Sequence, residues 1–146
     1  MTIYIAHRQN KLKNLKSLLD DDVRGVEIDL RSNGNKIIIS HDPFLNGLDF
    51  EKNIKKLKNF FLIIDVKSTG FSEKVLKILN KEKIKFLFLN LIGSEQNYLI
   101  KKKYSKNLFL RFSSIEKPDL SIKDFKRIKW IWFDFFNGKY ITIKDY

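Results

Sequence analysis

Glu27 and Asp29 stand two residues apart in the run 25–30, GVEIDL, and a His-Asp pair, His41-Asp42, follows after a turn and a second apolar run. On an extended chain, residues two apart face the same side at about 7 Å, so the two carboxylates converge while Ile28 points away. Two carboxylates so placed repel. Either one keeps its proton at a raised pKa, or a cation sits between them. Asp65, in the apolar run 60–66, FFLIIDV, would supply a third oxygen. With no cysteine and 2 histidines in the chain, such a set suits a hard ion, Mg²⁺ or Ca²⁺, better than zinc. The same residues also allow a plainer arrangement, in which Glu27 and Asp29 make surface ion pairs with Arg24, Arg31 or Lys67.

Both histidines fall where chemistry would be expected. His7 with Arg8 closes the first apolar run, and His41 with Asp42 follows the third. An imidazole with an unperturbed pKa near about 6.5 moves protons at neutral pH, and two of them beside a cation make an acid and base pair. Lys67, Asn90, Arg111 and Asp134 take late positions in other apolar runs. In a parallel sheet those strand ends form the functional face.

Short apolar runs alternate with amphipathic segments, which predicts strands over 3–7, 25–30, 36–40, 60–66, 85–91, 107–112 and 130–135. Helices are expected over 11–20, near 48–58, and over 71–82, 94–103 and 121–127. Leu12, Leu15 and Leu19 share one face of the first, and Phe71, Val75 and Leu79 one face of the third. Ser94 and Ser121 read as N-caps, the latter with Asp124 three residues on. The turn signal in RSNGNK makes 26–31 and 36–40 a hairpin-like excursion. The rest reads as a parallel sheet covered by helices, wound open or closed into a barrel.

At 146 residues, with 43% apolar and 14% aromatic residues, the chain is expected to be one domain, 1–146, with a real core. The lack of cysteine excludes disulfides and thiol nucleophiles, and the start MTIYIAHRQN lacks a signal-peptide layout. A cytoplasmic protein with no membrane span is expected, since runs such as FFLII and WIWF are too short to cross a bilayer. The net charge of +12 suits nucleic acid, anionic lipid or anionic substrates. Its lysines, however, are spread over every expected helix, and no nucleic-acid motif accompanies them; Trp130 and Trp132 have the spacing of strand residues.

The blocks AHR at 6–8, VEIDLRSNGNKIIISHDP at 26–43 and IIDVK at 63–67 resemble the HRG, ExD, HD and ExK signatures of the glycerophosphodiester phosphodiesterases, in the phospholipase-C-like phosphodiesterase superfamily. The resemblance is strong over 3–43, fair over 61–67, and only a strand-and-helix rhythm beyond. It implies a TIM-type (β/α) barrel and hydrolysis of a small-molecule glycerophosphodiester to glycerol 3-phosphate and an alcohol with a divalent cation. Carried over by residue, it implies His7 and His41 as general acid and base. Glu27, Asp29 and Asp65 would hold the metal, and Arg8 and Lys67 the phosphate. In that family a neighbouring substrate hydroxyl is thought to attack first.

The chain departs from that pattern in three places. Gln9 replaces the glycine after His-Arg, Asp65 replaces the usual glutamate, and the segment between His41 and Asp65 is brief. A full barrel takes about 250 residues, so only a reduced or incomplete one, with about six βα units, is expected. An open barrel would expose strand edges and favour self-association. The alternative function is a catalytically weak or inactive relative that binds an anionic phosphate ligand.

Overall fold

A computed structural model of the chain describes residues 2–113 and 125–134. The chain divides into two compact units, 1–88 and 89–146. The first is organised around one long strand. After β1 (Tyr4–Ala6) and α1 (Leu15–Asp20), β2 runs over Val23–Asn33. It turns through Gly34 and Asn35 into β3 (Lys36–Ile39), pairing antiparallel with Asn33 opposite Lys36 and Leu30 opposite Ile39. Gly34 has φ 55° there, a conformation that costs glycine nothing sterically. The hairpin expected from RSNGNK is therefore present.

A short strand, β4 (Leu48–Asp49), extends the sheet beyond β3, and β5 (Phe61–Val66) pairs parallel with the other edge of β2. β1 also pairs parallel with β2, over Val23–Val26, so the order is β4-β3-β2-β5-β6, with β6 at Phe86–Leu89 and β1 beside β2. Val26, Ile28 and Leu30 of β2 and Leu62, Ile63 and Ile64 of β5 are almost fully buried. Each such side chain contributes about 1.5–3 kcal/mol. α3 (Ser72–Lys81) buries Val75 and Leu79 along the stripe that also holds Phe71, as its spacing predicts.

In the second unit, α4 (Gly93–Lys101) precedes β7 (Phe109–Ser113), which pairs parallel with β8 (Trp130–Asp134) in a separate two-stranded sheet. Phe109 meets Trp130 and Trp132 edge to face.

The TIM-type (β/α) barrel is not formed: the described residues make a mixed sheet with few short helices and no closure. A barrel needs every strand flanked by parallel neighbours. Here antiparallel β3 and β4 take one edge of β2, and β7 and β8 pair with each other. Several helices are also shorter than expected. α1 starts only at Leu15 because Leu12 and Asn14 have left-handed backbone, φ 49° and 58°. The segment 48–58 holds β4, a four-residue helix α2 (Phe50–Asn53) capped by Asp49, and a 3-10 turn. Ser94 lies inside α4 and does not cap it; Ile92 holds the N-cap position without a side-chain bond. Of the segment 121–127 only the 3-10 turn Phe125–Arg127 is described. Ser121, Asp124, the last residue of 130–135 and the run YITI at 140–143 lie outside the described residues.

Gly47 tests the β3–β4 turn. A Cβ there would sit inside van der Waals contact of the Ile39 carbonyl, whereas one on Gly34 would meet nothing within 4 Å. Gly47→Ala should destabilise the chain by about 1–3 kcal/mol, and Gly34→Ala by only the left-handed backbone cost of about 1–2 kcal/mol. Chemical denaturation in which Gly47→Ala matched the native chain would contradict this packing.

Candidate metal and phosphate site

The parallel register of β2 and β5 sets Asp29 directly opposite Asp65, with Glu27 opposite Ile63. Strand alternation then puts Glu27, Asp29 and Asp65 on one face. All three are buried, at 2%, 1% and 8% exposure, and one ligand oxygen from each lies within 4.8 Å of the others. The plainer reading as surface pairs fails for two of its three partners. Arg24 pairs with Asp22 at 2.6 Å, and Arg31 binds backbone carbonyls. Lys67 does join the cluster, 2.7 Å from Asp65 and 3.2 Å from Asp29.

The loop after β1 supplies the remaining donors. Arg8 takes left-handed backbone, φ 53°, and its N–H donates to Glu27 Oε2 at 2.7 Å. The next N–H, of Gln9, donates to the Glu27 carbonyl at 2.9 Å. Asn10 clasps Asp29 from two sides: its Nδ2 donates to Oδ2 at 2.6 Å, and its Oδ1 accepts from the Asp29 N–H at 2.8 Å. The amide of Gln9 folds back to donate to the His7 carbonyl at 2.9 Å. Arg8 has the left-handed backbone and Gln9 does not, so the position held by Gln9 does not demand glycine.

Burial pushes Glu27 up to about 7, helped by the Asp29 and Asp65 charges and opposed by the Arg8 N–H and Lys67. Burial also works against the charge of Lys67. Its hydrogen bonds and attraction to Asp65 and Asp29 outweigh that and raise its pKa above the ordinary lysine value.

His41 sits in a defined tautomer. Its Nε2 lies 2.9 Å from Arg8 Nη2 and its Nδ1 2.7 Å from Asp42 Oδ1. A guanidinium only donates, so Nε2 accepts and Nδ1 carries the proton toward Asp42. This bond holds the exposed Asp42 carboxyl below its usual range. Arg31 fixes the backbone beneath: Nε and Nη2 donate to the His41 carbonyl at 2.9 and 2.8 Å, and Nη1 to the Lys67 carbonyl at 3.1 Å. The largely exposed His7 places Nε2 3.5 Å from Glu27 Oε2. All seven expected site residues, His7, Arg8, Glu27, Asp29, His41, Asp65 and Lys67, thus join one contact network. A cleft of ≈ 560 Å³ opens beside it, with Asn10, Lys11, Lys13, His41, Leu45 and Leu48 in its lining.

Two contributors escape the pattern of carboxylates and histidines, Asn10 and Arg31, and a third, Asp42, acts as the orienter of His41. Asp42 had a signal in its adjacency to His41. Asn10 had none, because nothing in a loop sequence tells which strand its amide will meet. In the second unit, Arg111 Nε donates to Asp134 at 2.5 Å, and Nη1 donates to Asn90 at 2.9 Å. Trp132 Nε1 donates to Asp134 at 2.6 Å. These late-strand polar groups form an internal network of that unit.

A divalent ion with oxygen ligands at about 2.1–2.5 Å spans about 4–5 Å between opposite ligands. The three carboxylates meet that measure. Comparisons with family models, with curated proteins and with solved structures give no match to this chain.

The position of Glu27 carries a pH prediction. Its folded pKa of about 7 lies above the ordinary 4.5, so between those values the folded chain holds a proton that the unfolded chain has lost. Its contribution to stability is therefore full below about pH 4.5 and is lost as pH rises through about 7. With chelator present, the stability of Glu27→Gln relative to the native chain should rise over that window, by up to about 3 kcal/mol. Urea denaturation at several pH values measures it; parallel pH profiles for the two chains would rule it out.

Proposed function

We propose that this chain is a divalent-cation-dependent phosphodiester hydrolase that cleaves a glycerophosphodiester to glycerol 3-phosphate and an alcohol. The observation that carries this reading is the gathering of three buried carboxylates within 4.8 Å, with both histidines of the chain in the same network. Glu27, Asp29 and Asp65 would hold the ion. When bound, it supplies Lewis-acid stabilisation of the negative charge that builds on the phosphoryl oxygens.

The chain's own groups divide the remaining work. Asp42 holds the Nδ1–H of His41, which leaves the Nε2 lone pair outward as a base once Arg8 turns from it to a phosphate oxygen. His41 takes the proton of the attacking hydroxyl as its oxygen bonds to phosphorus. The bond from phosphorus to the leaving alcohol breaks as His7 in its protonated form gives that oxygen a proton. A water, losing its proton to the now neutral His7, then opens the resulting cyclic phosphate to glycerol 3-phosphate while His41 returns its proton to the departing hydroxyl oxygen. Lys67 and Arg8 offset charge on the non-bridging oxygens. Asn10 and the Arg8 N–H keep Asp29 and Glu27 aimed.

One observation favours a second reading. The ammonium of Lys67 already contacts both Asp29 and Asp65, and in a catalytically weak relative that contact would substitute for the ion while Arg8 binds a phosphate ligand.

Purified chain with Mg²⁺ or Ca²⁺ should release glycerol 3-phosphate from glycerophosphocholine, and chelation should stop the release. His41→Ala should lower kcat at least about 100-fold, and Asp29→Asn should abolish calorimetric binding of the ion. Phosphate binding without turnover under either ion would replace the hydrolase by the second reading.

A further inference from the structure

The loop that follows His41-Asp42 carries an apolar surface that the catalytic reading does not use. Phe44 is 105% exposed, Leu45 57% and Leu48 38%. Phe44 also takes left-handed backbone, φ 64°, which a bulky L-residue adopts only against a steric cost. A ring held fully in water on a strained backbone contributes nothing to the core. Such outliers point toward use at the surface.

The surroundings of the loop select what that surface meets. Leu45 and Leu48 share the cleft beside His41 with Lys11 and Lys13. Both lysines are exposed, and neither has an ion pair among the described residues. The loop region also carries two carboxylates, Asp42 hydrogen-bonded to His41 Nδ1 and Asp49 accepting the Lys52 N–H as a helix cap, against the cations Lys11, Lys13 and Arg31. Arg31 lines the hollow on the side of Pro43 and Phe44. The local surface is thus apolar at its tip and cationic at its flanks, on a chain of net charge +12. A protein partner would have to present acidic groups around an apolar hole. An anionic lipid surface offers both at once, acyl chains beneath a negative headgroup layer.

We propose that the loop 43–48, with Lys11 and Lys13, is a docking surface for an anionic membrane, with Phe44 inserted at the headgroup boundary and the His41 cleft turned to the headgroups. Resting on the hydrolase reading above, the glycerophosphodiester would then be met at that surface.

Sedimentation with vesicles of phosphatidylcholine alone, or with phosphatidylglycerol added, tests docking without any need for turnover. The native chain should pellet with the mixed vesicles, at least about tenfold more tightly than with the neutral ones, and added salt should release it. Phe44→Asn keeps a residue that tolerates left-handed backbone while removing the ring, so its fold is retained. It should weaken partitioning about tenfold and leave hydrolysis of soluble glycerophosphocholine within about twofold. The pair Lys11→Gln, Lys13→Gln should remove the preference for the anionic vesicles. Equal binding of native chain and Phe44→Asn, equal binding to both vesicle types, or self-association through this loop in place of vesicle binding would each overturn the proposal. Vesicle binding without hydrolysis of any diester would leave docking standing and sink the catalytic reading alone.

Discussion

Three carboxylates are buried within 4.8 Å of one another, at 2%, 1% and 8% exposure, and much of the surrounding structure answers to that fact. At an effective dielectric of about 20, two unit charges at such a distance repel by about 3 kcal/mol, and a third multiplies the problem. The observed structure relieves it piecemeal. The Lys67 ammonium lies against Asp29 and Asp65, Asn10 and the Arg8 N–H donate to Asp29 and Glu27, and Glu27 is left with a pKa near 7. The left-handed backbone of Arg8 follows from the same demand, since it accompanies the turn that aims two successive N–H groups at Glu27. Relief of this kind is partial: burial still holds Glu27 well above the ordinary carboxylate range.

The second requirement is geometric, and the main chain of β2 meets it. The carbonyl of Glu27 accepts the N–H of Gln9, that of Asp29 the N–H of Ser40, and that of Leu30 the N–H of Lys67. Three separate segments are thereby pinned along four residues of one strand. The hairpin explains why His41 is among them. With Leu30 opposite Ile39 across a two-residue turn, the chain emerging from β3 arrives beside Asp29, and the next residue is His41. Arg31 then ties the carbonyls of His41 and Lys67 together from a position one residue beyond Leu30. His41, Lys67 and the carboxylates are spaced by strand register, not by long flexible loops.

That dependence on register explains what the sequence discloses and what it hides. Alternation along GVEIDL places Glu27 and Asp29 on one face, and FFLIIDV marks Asp65 as an odd polar residue in a buried strand. Both features are local, as is the turn at Gly34. The barrel inference fails because it concerns which strand pairs with which edge, and pairing of that kind is not written in a local rhythm of apolar runs. The helix expected over 11–20 shortens for a related reason. Its leucines have helical spacing, but Leu12 and Asn14 lie outside the helix with left-handed backbone, in the stretch that follows Asn10. Phe44 is similarly opaque, because nothing in the residues around His-Asp-Pro tells that the ring stands exposed.

Loss of the barrel does not carry the chemistry away with it. Every group in the proposed mechanism lies between His7 and Lys67, in a single compact unit, and each is fixed by β2, its parallel neighbour β5 and the loops attached to them. Closure of a barrel would add strands elsewhere; it would not alter the distance between Asp29 and Asp65, which is set by their direct opposition in the register. The same register answers the concern raised by aspartate in place of glutamate. A side chain one methylene shorter still brings its oxygen within 4.8 Å of the other two, because the two strands hydrogen-bond directly and nothing has to be spanned. In this chain the minimal scaffold for such a site is one long strand, one parallel neighbour and one antiparallel return.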